Sequence, residues 1–164
     1  SSRKGLLMRT AEDLLLAKTS DMISVTAETT IAEALKVMIL HKIGAILVKK
    51  DQALVGIWTE RDLMRDTLTA GFDPGQAVIG ASMSTELIAA AWDDTVYSLM
   101  DKFLGLRVRH LLVEKDGDYI GLLSIGDVLK AGLQEKSTEL EDLHSLVSWD
   151  YYEEWKWSGA EVQS

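Results

Sequence analysis

Two short runs carry the residue types best suited to chemistry: Gly56-Ile57-Trp58-Thr59-Glu60-Arg61-Asp62 and Gly121-Leu122-Leu123-Ser124-Ile125-Gly126-Asp127. Each is a glycine, then a hydroxyl, then an aspartate one helical turn on. A helix N-terminus exposes free N–H groups and the positive end of the dipole, so it favours anions. A Thr or Ser there can donate to a phosphate oxygen. The Asp can accept from two adjacent hydroxyls, such as a ribose diol. The preceding glycine lets a ligand approach the backbone closely. Together these parts describe a ribose-phosphate seat. The same spacing also describes a capping box, in which the Asp only satisfies a backbone N–H.

Other chemistries find no support. His41, His110 and His144 lack metal-ligand spacing, and no cysteine supplements them. There is no nucleophile elbow, no phosphate-binding GxxxxGK[ST] loop and no GxGxxG. Asp93-Asp94 precedes a helix and reads as charge favouring its N-terminus. No catalytic residue, metal or catalytic cofactor is expected, and hence no enzyme.

The elements that must position the two runs form an internal repeat. Shifted by about 65 positions, the chain overlays on itself without a gap. Ile46-Leu47-Val48-Lys49-Lys50-Asp51 falls on Leu111-Leu112-Val113-Glu114-Lys115-Asp116, and Thr30-Ile31 falls on Thr95-Val96. Each copy opens on a short apolar piece, at 22–25 and 87–90. A helix follows. In the first copy Thr30 and Glu33 form a capping box, and Ile31, Ala34, Leu35, Met38 and Ile39 recur at helical spacing. In the second, Thr95 leads into Val96, Leu99, Met100 and Phe103. Two strands come next, at 44–49 and 53–58, then at 109–114 and 118–123, joined by hairpin signals. A second helix starts after Thr59 and after Ser124. The fold class is therefore α+β, with two strand-helix-strand-strand-helix repeats. At about 60 residues each repeat is marginal alone, so the two sheets are expected to pack with pseudo-twofold symmetry and a cleft on each side. The segmentation is 1–20, an N-terminal segment; 21–70, the first repeat; 71–77, a linker holding the sole proline; 78–133, the second repeat; and 134–164, a tail.

Composition narrows the setting. The 164 residues are 47% hydrophobic and 26% charged, as in ordinary globular chains. The absence of cysteine fits a reducing compartment, read as cytoplasmic. No apolar run approaches the roughly 20 residues that span a membrane, and no secretory signal is evident. A net charge of −9 repels phosphate backbones, so no nucleic acid partner is expected. The tail is distinct: residues 135–164 hold 8 acidic and 2 basic residues. After Gly132 a new helix is signalled by Thr138 and Glu141, with Leu140, Leu143, Leu146 and Val147 on one face. Three tryptophans and two tyrosines then crowd into 149–157. Exposed, they would form a sticky patch. They are expected to pack on the module or a second copy of it, or to bind a protein partner.

With both motifs and the repeat order in place, the sequence resembles a tandem pair of cystathionine-β-synthase (CBS) domains, a Bateman module, over roughly residues 10–133. The resemblance implies a regulatory pair that binds an adenine nucleotide (AMP, ADP or ATP) or a related adenosyl ligand. A dimerisation or docking module with unused clefts is the alternative. It also implies a homodimer. In that family the motif aspartate holds the ribose hydroxyls and the motif hydroxyl lies near the phosphates. Carried over, one site has Thr59, Asp62 and Trp58 with Ile88 and Val108. The other has Ser124, Asp127 and Leu123 with Ile23, Ile43, Gly44, Arg109 and His110. Trp58 and Leu123 are expected near the base or ribose. Phosphate binders in the family carry basic residues at the helix-to-strand junction, where this chain has Arg107-Val108-Arg109-His110 in the second repeat and Lys42-Ile43-Gly44-Ala45 in the first. Arginine holds phosphate bidentately. On this ground the Ser124–Asp127 site is expected to bind more tightly.

Overall fold

The computed structural model describes residues 8–18 and 22–139; the aromatic cluster at 149–157 and Glu141 lie outside them. Thr30 starts the first long helix as the sequence demands. Its hydroxyl accepts from the Glu33 N–H at 3.2 Å, and the Glu33 carboxylate accepts from the Thr30 N–H at 3.4 Å. The helix α2 (Ile31–His41) follows a short strand β1 (Ser24–Thr26) and buries Ile31, Ala34 and Met38. It ends at Lys42 in the left-handed region, φ 55°, which turns the chain into β2 (Ala45–Lys50). Strand β3 (Ala53–Thr59) returns antiparallel, and α3 (Glu60–Asp66) starts directly on Thr59. The sheet order is β1-β2-β3, with β1 parallel to β2.

A four-residue helix α4 (Ile79–Ser82) leads into the second copy: β4 (Ala89–Ala91), α5 (Val96–Leu106), β5 (His110–Lys115), β6 (Asp118–Ser124) and the final helix (Ile125–Glu139). A further helix (Ala11–Ala17) precedes β1. In chain order it is α1 and the final helix is α6. The second sheet, β4-β5-β6, repeats the first down to a register break at Val113/Glu114 matching that at Val48/Lys49. Both hairpins turn through residues of positive φ, Asp51 and Gln52 in one, Asp116 and Gly117 in the other.

The elements not foreseen from sequence, α1 and α4, cross over. Ala11 and Leu14 of α1 lie in the core of the second repeat, beside Val96, Phe103 and Leu123. Ile79 of α4 is fully buried in the core of the first, beside Ile31 and Trp58. Backbone bonds fix both: Ala11 N–H donates to the Asp94 carbonyl at 2.8 Å, and Ile79 N–H to the Thr29 carbonyl at 2.8 Å. Each repeat is thus completed by the segment preceding the other. In the 71–77 stretch, Phe72 and Ala77 also pack on the first core.

Two expectations are corrected here. Gly56 and Gly121 do not leave room for a ligand. A Cβ at Gly56 would lie 2.3 Å from Met83 Sδ, and one at Gly121 2.5 Å from Leu15 Cδ2. Each glycine seats a side chain of the crossing segment. Nor does a new helix begin after Gly132. Helix α6 runs through it to Glu139, with Thr138 inside the helix. Gly132 faces α5, where a Cβ would meet Met100 Cε at 2.3 Å.

Candidate functional site

The strand period of two decides which motif residues reach a cleft. On β3, Gly56 and Trp58 point into the first core, while Ile57 and Thr59 point out. On β6, Leu123 is fully buried and Leu122 points out. This corrects the expectation that Trp58 and Leu123 lie near a base or ribose. Trp58 is instead 0% exposed, and its Nε1–H donates to the buried Asp66 carboxylate at 3.0 Å.

Both motifs form capping boxes. The Asp62 Oδ2 accepts from the Thr59 N–H at 2.9 Å, and the Asp62 N–H donates to the Thr59 hydroxyl at 3.4 Å. In the second copy the Ser124 N–H donates to Asp127 Oδ2 at 2.8 Å, and the Asp127 N–H to the Ser124 hydroxyl at 3.1 Å. Each aspartate has lone pairs beyond those bonds, and the two copies use them differently. Asp62 Oδ1 accepts from Arg65 on its own helix at 3.0 Å. Asp127 Oδ2 accepts from Lys18 at 2.8 Å, and the same ammonium donates to the Leu122 carbonyl at 3.1 Å.

A first cleft of about 280 Å³ opens where the first motif faces the second repeat. Thr59 and Asp62 line it, with Glu60 and Arg61 between them; Ile88 and Val108 form its apolar side, so the structure brings Thr59, Asp62, Ile88 and Val108 together. Arg107, Arg109 and His110 line it too. Arg107 caps α5 at φ 55°, and this left-handed turn brings 107–110 over to the cleft. Gly44 also lies here, its carbonyl accepting from the Glu60 N–H at 3.1 Å. A Cβ at Gly44 would come within 3.3 Å of the Glu60 carboxylate. Glu60 and Glu86 add negative charge against the three arginines. Among the described residues, Arg61, Arg107 and Arg109 form no ion pair.

A second cleft of about 540 Å³ lies on the pseudo-symmetric side. Ile23 and Ile43 line it, with Leu122 and Lys18. Ser124 and Asp127 do not. The grouping of Arg109, His110 and Gly44 with Ser124 and Asp127 is therefore corrected: the strand β5 carries its first residues into the cleft of the other repeat's motif. His110 opens β5 of the second repeat. It lines the first, yet pairs across the sheet with Ser124. Burial holds its imidazole below the ordinary value; Lys18 and Arg109 push the same way and Asp127 opposes them. Lys18, Ser84 and Glu86 had no signal in the repeat pattern, because they sit on the crossing segments.

Among the described residues, no cluster of His, Asp or Glu is arranged to hold a metal, and no helix is long and apolar enough to cross a membrane. The CBS domain family model matches residues 11–68 and 78–134. The CBS domain-containing protein CBSX3, mitochondrial, of Arabidopsis thaliana is 36% identical over 131 residues, covering 77% of this chain and 64% of that protein's length. The crystal structure of the CBS-domain containing protein ATU1752 from Agrobacterium tumefaciens superposes with a TM-score of 0.70 at 34% identity, covering 76% of this chain and 99% of that one. CBSX2, solved in complex with AMP, shares the fold with a TM-score of 0.60 at 23% identity, covering 77% of this chain and 98% of that one. Two matched copies, each completed by the segment preceding the other and joined across a shared cleft, place the chain in the CBS-domain family as a tandem pair.

Proposed function

We propose that this CBS pair is a regulatory, non-catalytic module that binds an adenine nucleotide (AMP, ADP or ATP) or a related adenosyl ligand in the first cleft. One observation carries the reading: Arg61, Arg107 and Arg109, unpaired among the described residues, meet the Thr59 hydroxyl and the Asp62 carboxylate across one cleft. Guanidinium groups suit phosphate; a carboxylate suits a ribose diol; Ile88 and Val108 suit the flat face of a base. The AMP complex of CBSX2 supports the same ligand class on the same fold. Occupancy bridges the two repeats, so it shifts any equilibrium in which they pack differently. A reducing compartment fits a chain without cysteine, whether cytoplasmic or, as for the Arabidopsis relative, mitochondrial.

Thermal-shift screening with AMP, ADP, ATP, S-adenosylmethionine and NAD tests this. A ligand of the folded state at 100 times its Kd adds about 2.7 kcal/mol. For a chain of this size that raises Tm by roughly 5–10 °C. No rise with any of the five would overturn the reading in favour of a docking module.

The exposed apolar side chains support a homodimer. Ile39 and Leu40 on α2 are 66% and 76% exposed, Met64 on α3 is 72% exposed, and Leu104 on α5 is 74% exposed. The place of these side chains on helices of both repeats suits a twofold partner that covers them. Light scattering should read twice the 18.1 kDa chain mass. A monomer mass at tens of micromolar, about the range where weak dimers still form, would count against it.

A further inference from the structure

The two motif aspartates meet cations of different origin. Asp62 meets Arg65 of its own helix, whose side chain is 67% exposed. The Asp62 side chain is 15% exposed, but its cation stands in water and leaves it at little cost. Asp127 meets Lys18, the residue that ends α1, and both side chains are about 30% exposed, 31% and 30%. The Lys18 ammonium is also held by the Leu122 carbonyl on the wall of the second cleft. After α4 the residue in the same capping place is Met83, which has no charge and packs on Gly56.

We propose that Lys18 locks the second cleft, so that each chain seats one adenine nucleotide rather than two. The proposal rests on the nucleotide reading above. Lys18 and Leu122 line the second cleft and Asp127 lies behind them, so a ribose diol reaches its carboxylate only by displacing an ammonium whose other acceptor, among the described residues, is the Leu122 carbonyl. Leaving a charged donor short of partners there is costly. In the first cleft the same diol displaces only an exposed guanidinium. The cations sort the same way: three arginines without an ion pair among the described residues line the first cleft, whereas Lys18 of the second is held in one. The lock also ties α1 to the second motif, 109 residues away in the chain.

Calorimetric titration of the full chain with AMP reads the lock directly. The wild type should show one site per chain. Lys18→Met, which installs the residue found after α4, should show two, the second site gaining roughly ten-fold in affinity, about 1.4 kcal/mol. The double variant Lys18→Met with Asp62→Asn should keep only the new event. A nucleotide-free readout accompanies these: Lys18 holds the His110 imidazole down, so its NMR titration should move to higher pH in Lys18→Met. One site in both proteins overturns the lock and leaves the nucleotide reading standing, as do two sites in the wild type. Weaker binding in Lys18→Met makes Lys18 a phosphate ligand and overturns it. No heat in either protein removes the nucleotide reading and the lock together. An unmoved His110 titration counts against Lys18 standing beside the second motif, and together with one site per chain in Lys18→Met it overturns the lock.

Discussion

Arg109→Ala should weaken AMP binding by roughly 10- to 150-fold while leaving adenosine binding nearly unchanged. The first cleft places Arg109 across from Thr59 and Asp62, with Val108 beside it. A hydrogen bond to a charged group is worth about 1.5–3 kcal/mol, and each 1.4 kcal/mol is about a decade in affinity. Arg109 is exposed and carries no ion pair among the described residues, so its loss removes phosphate contacts without unbalancing a buried charge. The effect should shrink as salt is raised. Asp62→Asn should weaken adenosine and AMP alike, because it addresses the ribose. Asparagine keeps an oxygen for the Thr59 N–H, so the helix cap survives. Asp127→Asn should leave the tight event intact, since Asp127 lies off the first cleft and on Lys18. Titration calorimetry on the three variants decides. Loss of the tight event in Asp127→Asn, with Asp62→Asn unaffected, would return the site to the second motif.

Trp58→Ala should destabilise the fold by about 3–5 kcal/mol, among the largest effects available to one substitution. Trp58 is fully buried among Ile31, Ile46 and Ile79, so truncation leaves a cavity that one repeat cannot collapse onto. It also strips the Asp66 carboxylate, 9% exposed, of its indole donor. Trp58→Phe separates the two contributions: it keeps much of the volume and leaves Asp66 unpartnered, at a cost of about 1–3 kcal/mol. Urea unfolding should show both losses in the midpoint, with AMP affinity of Trp58→Phe unchanged. A fall in affinity at unaltered stability would move Trp58 from the core to the ligand.

Sequence alone determined what local physics controls. The strand-helix-strand-strand-helix order and the cap at Thr30 depend on residues within a few positions of one another, and the repeat displays that order twice. Cap chemistry and hydrophobic period act at that range, so they are legible in one copy and doubly so in two. The choice between a ribose seat and a capping box was open for the same reason: both are satisfied by one spacing. The structure forms the cap and leaves further lone pairs on the carboxylate, which the spacing could not show.

Tertiary structure decided the rest, because it depends on which distant segments meet. Alternation along β3 and β6 sets Ile57 against Trp58 and Leu122 against Leu123, but the face that becomes the core depends on where α2, α5 and the crossing helices land. Gly56 and Gly121 look alike in sequence; only the crossing of α4 and α1 shows that Met83 and Leu15 require them. Arg109 belongs to the second repeat in the chain and to the first motif's cleft in space. Lys18 sits outside both repeated motifs, and its contact with Asp127 follows from α1 completing the second core before the first repeat begins. Two clefts built from one repeated pattern are thus lined differently, through side chains that the pattern does not contain.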